Sequence, residues 1–430
     1  MTSKMIVTPA RGRAGLLCLI SLVALGSVTG CGDSDVTGIN QPPVVTVQSP
    51  TPDQQVSPVG FIVQATATDD RAVRRVEILL EDELIVILLD APYDTYVTTL
   101  GLSPGMHSLV VRAVDDDEVS REAIVSVSVP ARTYRRLTLP EPGFKHMEPA
   151  WHPQAIEIAY SRQGVAPDAI KNVYVIPAGA TDGTGERVTF GLQQDGNATY
   201  HPDGLRIAFE SNRTEYYQIY VTNLGTGALK QLTNIGSANQ RRPTWTRAEG
   251  FESWIAYDSD RLPGGRDLYM IRVSTQGDSI TIVDPTTQPD LPADTSPSDD
   301  KAPQWSTYGF LFANSNRSGV HAVTVLDPFL LEGALLVNGT NQFLLDDFAP
   351  AISPFDAYVA FSEEITGTEK LFVVPVGGTG EIRYEVAPGT GAFPDSTGFP
   401  DAMDAAWSPT GEKIAFVSTR TGTEEIWILE

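Results

Sequence analysis

Apolar residues in this chain recur in short bursts of period two, not at helical spacing. The clearest set runs from Asn197 to Val221, NATYHPDGLRIAFESNRTEYYQIYV. Thr199 and Tyr200 begin one strand, and His201 to Gly204 make a tight turn. Leu205 to Glu210 form a second strand with Ile207 and Phe209 on one face, and Gln218 to Val221 form a third. Alternate side chains of a strand share a face, so the pattern predicts β structure. The Asp203-Gly204 pair suits a hairpin turn in which both positions tolerate positive φ. Three strands this short cannot bury their apolar face alone, so the unit predicts an array.

Further copies follow from the same pattern. Trp151 precedes IEIAYS and NVYVIP, Trp245 precedes SWIAYDSDR and DLYMIRV, and Trp305 precedes FLFANSNR and AVTVLD. Ile352 precedes YVAFSEE and LFVVPV, and Trp407 precedes KIAFVSTR and EIWILE. With Tyr200 as the second marker, the intervals are 49, 45, 60, 47 and 55 residues. That period suits a four-stranded propeller blade. Fourth strands are expected at ERVTF (186–190), LKQLT (229–233), SITIV (279–283), NQFLL (341–345) and EIRYEV (381–386). The last copy has none, and YRRLTL (134–139) stands before the first. This N-terminal strand is therefore expected to complete the last blade and close a ring with few free edges. The markers and the I-A-F/Y pairs are expected to pack between blades.

The recurring P-x-W-S/H-P-x-G, I-A-F/Y, S-x-R and L-T elements resemble the repeats of TolB-type β-propellers over residues 133–430. The resemblance implies a six-bladed propeller. It also implies a role in an envelope complex with a peptidoglycan-associated lipoprotein. That family's mixed α/β N-terminal domain is missing here and a β-sandwich stands in its place.

Residues 1–30 carry Lys4, Arg11 and Arg13, no acidic residue, and an apolar run from Ala14 to Leu25. A basic start, a short apolar core and small residues before a cut site form an export signal, too short to span a membrane stably. Val28-Thr29-Gly30-Cys31 resembles the lipobox of bacterial lipoproteins, which implies acylation of Cys31. Several acyl chains would anchor the chain stably. Gly32 after the cysteine, by the same resemblance, favours the outer membrane. Residues 31–43 are polar and turn-rich and read as a tether. The other cysteine, Cys18, lies in the apolar run, so the processed chain holds no disulfide.

Residues 44–130 hold seven period-two segments, from VVTVQS (44–49) to REAIVSVSV (121–129), separated by turn signals. That count over this length fits a β-sandwich, and the string resembles bacterial immunoglobulin-like domains. The fold class is therefore all-β: an immunoglobulin-like sandwich followed by a six-bladed propeller. Asp69-Asp70 and Asp115 to Asp117 gather carboxylates at sandwich turns. Such oxygens suit calcium, but the EF-hand spacing is missing and they read as solvated turns.

Charge narrows the function. The net charge is −24, with 54 acidic against 30 basic residues. Nucleic acid demands a basic face, so it is excluded as a partner. Anionic membrane surface is repelled too, which leaves attachment to the lipid. No G-x-S-x-G, H-E-x-x-H, C-x-x-C or phosphate-loop motif is present. His152 and His201 share a repeat slot with Ser306, Ser353 and Ser408, which reads as turn chemistry and not as metal ligation. The reading names no cofactor and no catalytic residue.

Two long connections, 284–301 and 387–404, join outer strands to the next inner strands on one face of the ring. Loops on a rigid scaffold are where binding concentrates. The residue three before each marker is expected to line that rim: Glu148, Asn197, Arg242, Ala302, Ala349 and Asp404. Arg241, Lys301, Asp346 and Asp347 add to a mixed-charge mouth. The expected function is a lipid-anchored, non-enzymatic envelope scaffold that binds a protein or peptide there. The alternative is a carbohydrate-binding or polysaccharide-processing envelope protein.

Overall fold

The computed structural model describes residues 40–166, 169–246, 253–276, 279–282, 298–316, 319, 321–326, 335–336, 349–365, 367–376, 382–387 and 401–430. The export signal, Cys31, NQFLL, Asp346, Asp347 and most of both long connections lie outside these residues. The chain divides into two compact units. One holds most of the sandwich, and the other holds the propeller together with residues 53–63 and 95–106.

The sandwich is built from β1 (Val44–Ser49), β2 (Gln54–Gln55), β3 (Gly60–Thr68), β4 (Val73–Leu80), β5 (Glu83–Leu88), β6 (Tyr93–Thr98), β7 (Gly105–Asp115) and β8 (Ser120–Val129). One sheet runs β1-β3-β6 and the other β2-β8-β7-β4-β5. Val76, Ile78, Leu109, Val111, Ala113 and Val127 are fully buried, as period-two burial against a facing sheet requires. The pattern of apolar residues does not predict β2. It is two exposed residues pairing in parallel with β8, too short to show any period.

Six four-stranded sheets form the propeller. Blades are numbered here in chain order. Their inner strands are Phe144–Trp151, Asp195–Tyr200, Gln240–Trp245, Asp300–Trp305, Ala351–Ile352 and Ala402–Trp407. The strand β9 (Tyr134–Arg136) is the outer strand of blade 6, with Tyr134 opposite Leu429 and Arg136 opposite Trp427. Leu137 N–H continues the pairing by donating to Ile426 O at 2.8 Å. In blade 4 the outer strand is Leu335–Leu336, upstream of the segment expected from sequence.

Each marker packs against the blade before it. Trp151 lies with Ala415, Ile426 and Ile428 of blade 6, and Tyr200 with Ala159 and Val173 of blade 1. Trp245 meets Ala208, Ile219 and Val221, and Trp305 meets Ala256, Leu268 and Met270. Ile352 sits with Phe312 and Val323, and Trp407 with Ala360, Leu371 and Val373. The chain of contacts returns to its start, so the ring is closed. Because the same apolar residue wedges every seam, its recurrence in the sequence is a packing signal.

The serine-or-histidine slot does turn chemistry. His152 Nδ1 and His201 Nδ1 each accept the backbone N–H two residues on, at 3.1 Å. Ser306, Ser353 and Ser408 accept later amides of their own turns in the same way. In the Asp203-Gly204 turn only Gly204 takes a left-handed φ, of 72°. Asp203 is not left-handed, contrary to the hairpin expected from sequence. It caps the turn instead, its carboxylate accepting Leu205 N–H at 2.7 Å.

Candidate functional site: the charged inner ring

Five of the six residues expected at the rim share an unusual backbone. Glu148, Asn197, Arg242, Ala302 and Asp404 have φ between 49° and 57°. None is glycine, so the left-handed conformation is strained at each. Each coincides with a break in register between the inner strand and its neighbour, the mark of a β-bulge. Ala349, the sixth, precedes the short inner strand of blade 5 and is half-buried.

The bulge has a consequence at the seams. It turns each N–H toward the preceding blade, where a side chain accepts it. Asn197 N–H donates to Glu148 Oε2 at 2.7 Å, and Arg242 N–H to Glu210 Oε2 at 3.0 Å. Ala302 N–H donates to Asp258 Oδ2 at 3.1 Å, and Asp404 N–H to Ser362 Oγ at 3.2 Å. Glu148 N–H donates to the Asp404 carboxylate. Five seams are therefore stapled by the same device. A hydrogen bond to a carboxylate contributes about 1.5–3 kcal/mol, enough to offset a strained φ of about 1–3 kcal/mol.

The acceptor carboxylates recruit cations. Lys171 pairs with Glu148, and Arg241 Nη2 lies 2.9 Å from Glu210 Oε1. Asp258 accepts Arg266 at 2.6 Å and faces Arg242 at 3.4 Å. Arg241 also lies over the Tyr217 ring, 4.4 Å from its centroid, a cation–π arrangement. Burial alone would raise the Glu210 pKa, but Arg241 and Lys171 outweigh it and hold the carboxyl well below the usual range. Burial would lower Lys171, yet the charges of Glu148 and Glu210 keep it raised. At Asp404 the balance tips the other way. Burial, then Glu148, pushes it up to about 7. Lys301 is buried and pairs with Asp299 at 3.0 Å. Of these groups Arg241, Tyr217, Asn197, Glu148 and Asp404 remain half-exposed. They are the portion of the ring that a ligand can reach.

The sequence reading places these residues at the rim of the channel mouth; the structure places Glu148, Asn197, Arg242, Ala302 and Asp404 inside the inner strands, as inter-blade ties. Glu210, Asp258, Lys171 and Tyr217 were missed. One sequence signal was available for the bulges: a proline follows Glu148, Arg242, Ala302 and Ala349, and proline inside a strand marks a bulge.

The remaining histidines and acids are structural. His146 Nδ1 lies 2.6 Å from the buried Glu425, which Thr138 Oγ1 also contacts at 2.9 Å. Asp115 accepts the amides of Asp117 and Val119 at 2.9 and 2.8 Å, while Asp117 pairs with Arg71 and Glu118 with Arg75. Asp115, Asp117 and Glu118 thus serve as turn cap and ion-pair partners. Among the described residues no three His, Cys, Asp or Glu side chains gather as metal ligands.

Known proteins similar to parts of the chain are of two kinds. The family of bacterial Ig domains matches residues 43–111. Solved structures similar to the chain include TolB from Acinetobacter baumannii, at 12% identity over 76% of this chain and 77% of that one, TM-score 0.41. A putative TolB from Agrobacterium tumefaciens is 14% identical over 69% and 97%, TM-score 0.45. Oligogalacturonate lyase from Vibrio parahaemolyticus is 12% identical over 76% and 97%, TM-score 0.43. No curated protein matches. The chain is an all-β protein that pairs an immunoglobulin-like sandwich with a six-bladed propeller.

Proposed function

We propose that this protein is a lipid-anchored, non-enzymatic scaffold of the bacterial cell envelope. It holds a protein or peptide partner at the mouth of the propeller. The observation that carries the reading is the commitment of the inner-ring charges. Glu148, Glu210 and Asp258 each bind a neighbour's amide and a cation at once. Groups tied in that way form a rigid recognition surface. A general acid or base needs instead to be poised for proton transfer to a substrate. Arg241 over Tyr217 presents the flat, half-buried chemistry that interfaces use as anchors. Cys31 at the end of V-T-G-C supports the anchor, and the tether of 31–43 supports a body standing off the lipid.

The test is site-specific crosslinking. A photoreactive residue replacing Tyr217 should capture an envelope protein in intact cells, and Arg241→Glu should abolish the adduct. An adduct unaffected by Arg241→Glu overturns the assignment of the mouth. Release of soluble sugar from envelope polysaccharide by the purified chain overturns the non-enzymatic reading.

A further inference from the structure

The strand β5 is an unguarded sheet edge. It ends the five-stranded order of the sandwich, pairing only with β4. Natural proteins blunt such edges with charge, proline, shortness or cover. Among the described residues, the other edges of the sandwich and the outer edges of the blades follow that rule. β1 is bracketed by Pro43 and Pro50 and exposes Thr46 and Gln48. β2 is two glutamines, and β6 is buried along Thr95–Thr98. The outer strands of the blades run two to four residues, several of them charged, such as Glu186–Arg187 and β9. β5 departs from all of these. Leu84-Ile-Val-Ile-Leu-Leu89 is six consecutive apolar residues, every one half-exposed.

Two features define what the edge accepts. Val86 and Leu88 lie opposite the fully buried Ile78 and Val76, while Ile87 lies opposite Glu77 on the other face. A bulge at Ile85 confines the regular edge to Val86–Leu88 and the residue after it. Both ends of the apolar run are acidic and exposed: Glu81, Asp82 and Glu83 before it, Asp90 after it. Glu81 and Asp82 form the β4–β5 turn with φ of 51° and 62°, where glycine or asparagine would be less strained. Acids at both ends repel a second copy of the same strand, because antiparallel self-pairing brings like charges together. They attract a strand of opposite flanking charge.

We propose that β5 is a docking edge for an extended peptide with an apolar centre and basic residues at both ends. The peptide adds as a sixth strand through backbone hydrogen bonds, its lysines or arginines facing Glu81–Glu83 and Asp90. The edge belongs to the sandwich and uses none of the inner-ring residues of the propeller.

The test uses the full chain and a synthetic peptide of alternating threonine and valine with paired lysines at each end. Fluorescence anisotropy should show binding that weakens as salt rises. The same peptide with glutamates for lysines should bind at least ~10-fold more weakly. Hydrogen exchange should show new protection confined to Leu84–Leu89. Ile87→Lys should abolish binding, and Asp82→Asn with Glu83→Gln, which leaves the core untouched, should weaken it ~10-fold. Equal binding of both peptides, protection elsewhere, or no binding at low salt overturns the proposal. Protection of β5 that grows with protein concentration without peptide assigns the edge to a second copy and overturns it too.

Discussion

Asp404 shows how one residue ties local backbone to the stability of the ring. Its left-handed φ directs its own N–H to Ser362, while its carboxylate receives the N–H of Glu148. With its pKa pushed up to about 7 by burial and by Glu148, it holds a proton that the unfolded chain releases near pH 4. Glu369 is raised to about 7 as well, by burial and then by Asp401 and Glu424. An acid raised in the folded state stabilises fully below its unfolded pKa, and that contribution is lost as pH rises through about 7. Thermal midpoints should therefore fall between about pH 4 and pH 7. Asp404→Asn keeps an acceptor for Glu148 N–H and should flatten that fall; an unchanged slope would show that Asp404 ionises normally. Glu430 acts in the opposite sense. Its bond to Arg135, with Lys413, lowers it to about 2, so its contribution is present above the usual carboxylate range and disappears in acid. Glu210 is costly to neutralise, because it is buried against Arg241. Glu210→Gln strands Arg241 beside Lys171 and should cost about 3–5 kcal/mol in denaturant unfolding.

At the scale of the element, the repeated strands are legible in the sequence because one apolar residue serves one seam. Trp151, Trp245, Trp305 and Trp407 can be counted along the chain, and so can the missing fourth strand. Outer strands are shorter than their apolar pattern, and the L-T pair explains why. Thr189 Oγ1 accepts Val173 N–H at 3.0 Å, and Thr233 Oγ1 accepts Ile219 N–H at 2.8 Å. The side chain thus takes over from the backbone and ends the ladder. In blade 6 Thr138 plays this part, accepting Ile426 N–H at 3.0 Å and donating to Glu425. Thr138→Val should loosen the last seam, and hydrogen exchange should show Ile426 losing protection before the amides of blades 2 and 3. Uniform loss across all blades would mean that the latch is not a separate weak point. Beyond the prolines that follow three of them, the left-handed backbone of the bulges is illegible for a physical reason. Their left-handed residues are Glu, Asn, Arg, Ala and Asp, held by a partner from another blade. Local propensity does not report a contact made with a distant part of the chain.

For the whole molecule, the candidate site was only partly legible. The rim positions share one repeat phase, and the carboxylates that hold two of them, Glu210 and Asp258, share another directly after I-A-F/Y; only the fold shows that the two sets meet across the seams. Attachment is a separate question with its own test. Cys31→Ser should move the chain from the detergent phase to the aqueous phase in Triton X-114 partition and remove labelling by palmitate; unchanged partition would reject the anchor.

The joining of β9 to the strand Glu425–Leu429 sets a condition on synthesis. Residues made at opposite ends of the propeller sequence must meet before the circle exists. A chain interrupted anywhere before Glu425 leaves β9 with no partner and strips Ile426 and Ile428 from the wedge of Trp151. Incomplete products would therefore be open rings, exposed to proteolysis, and only a fully translated chain would close.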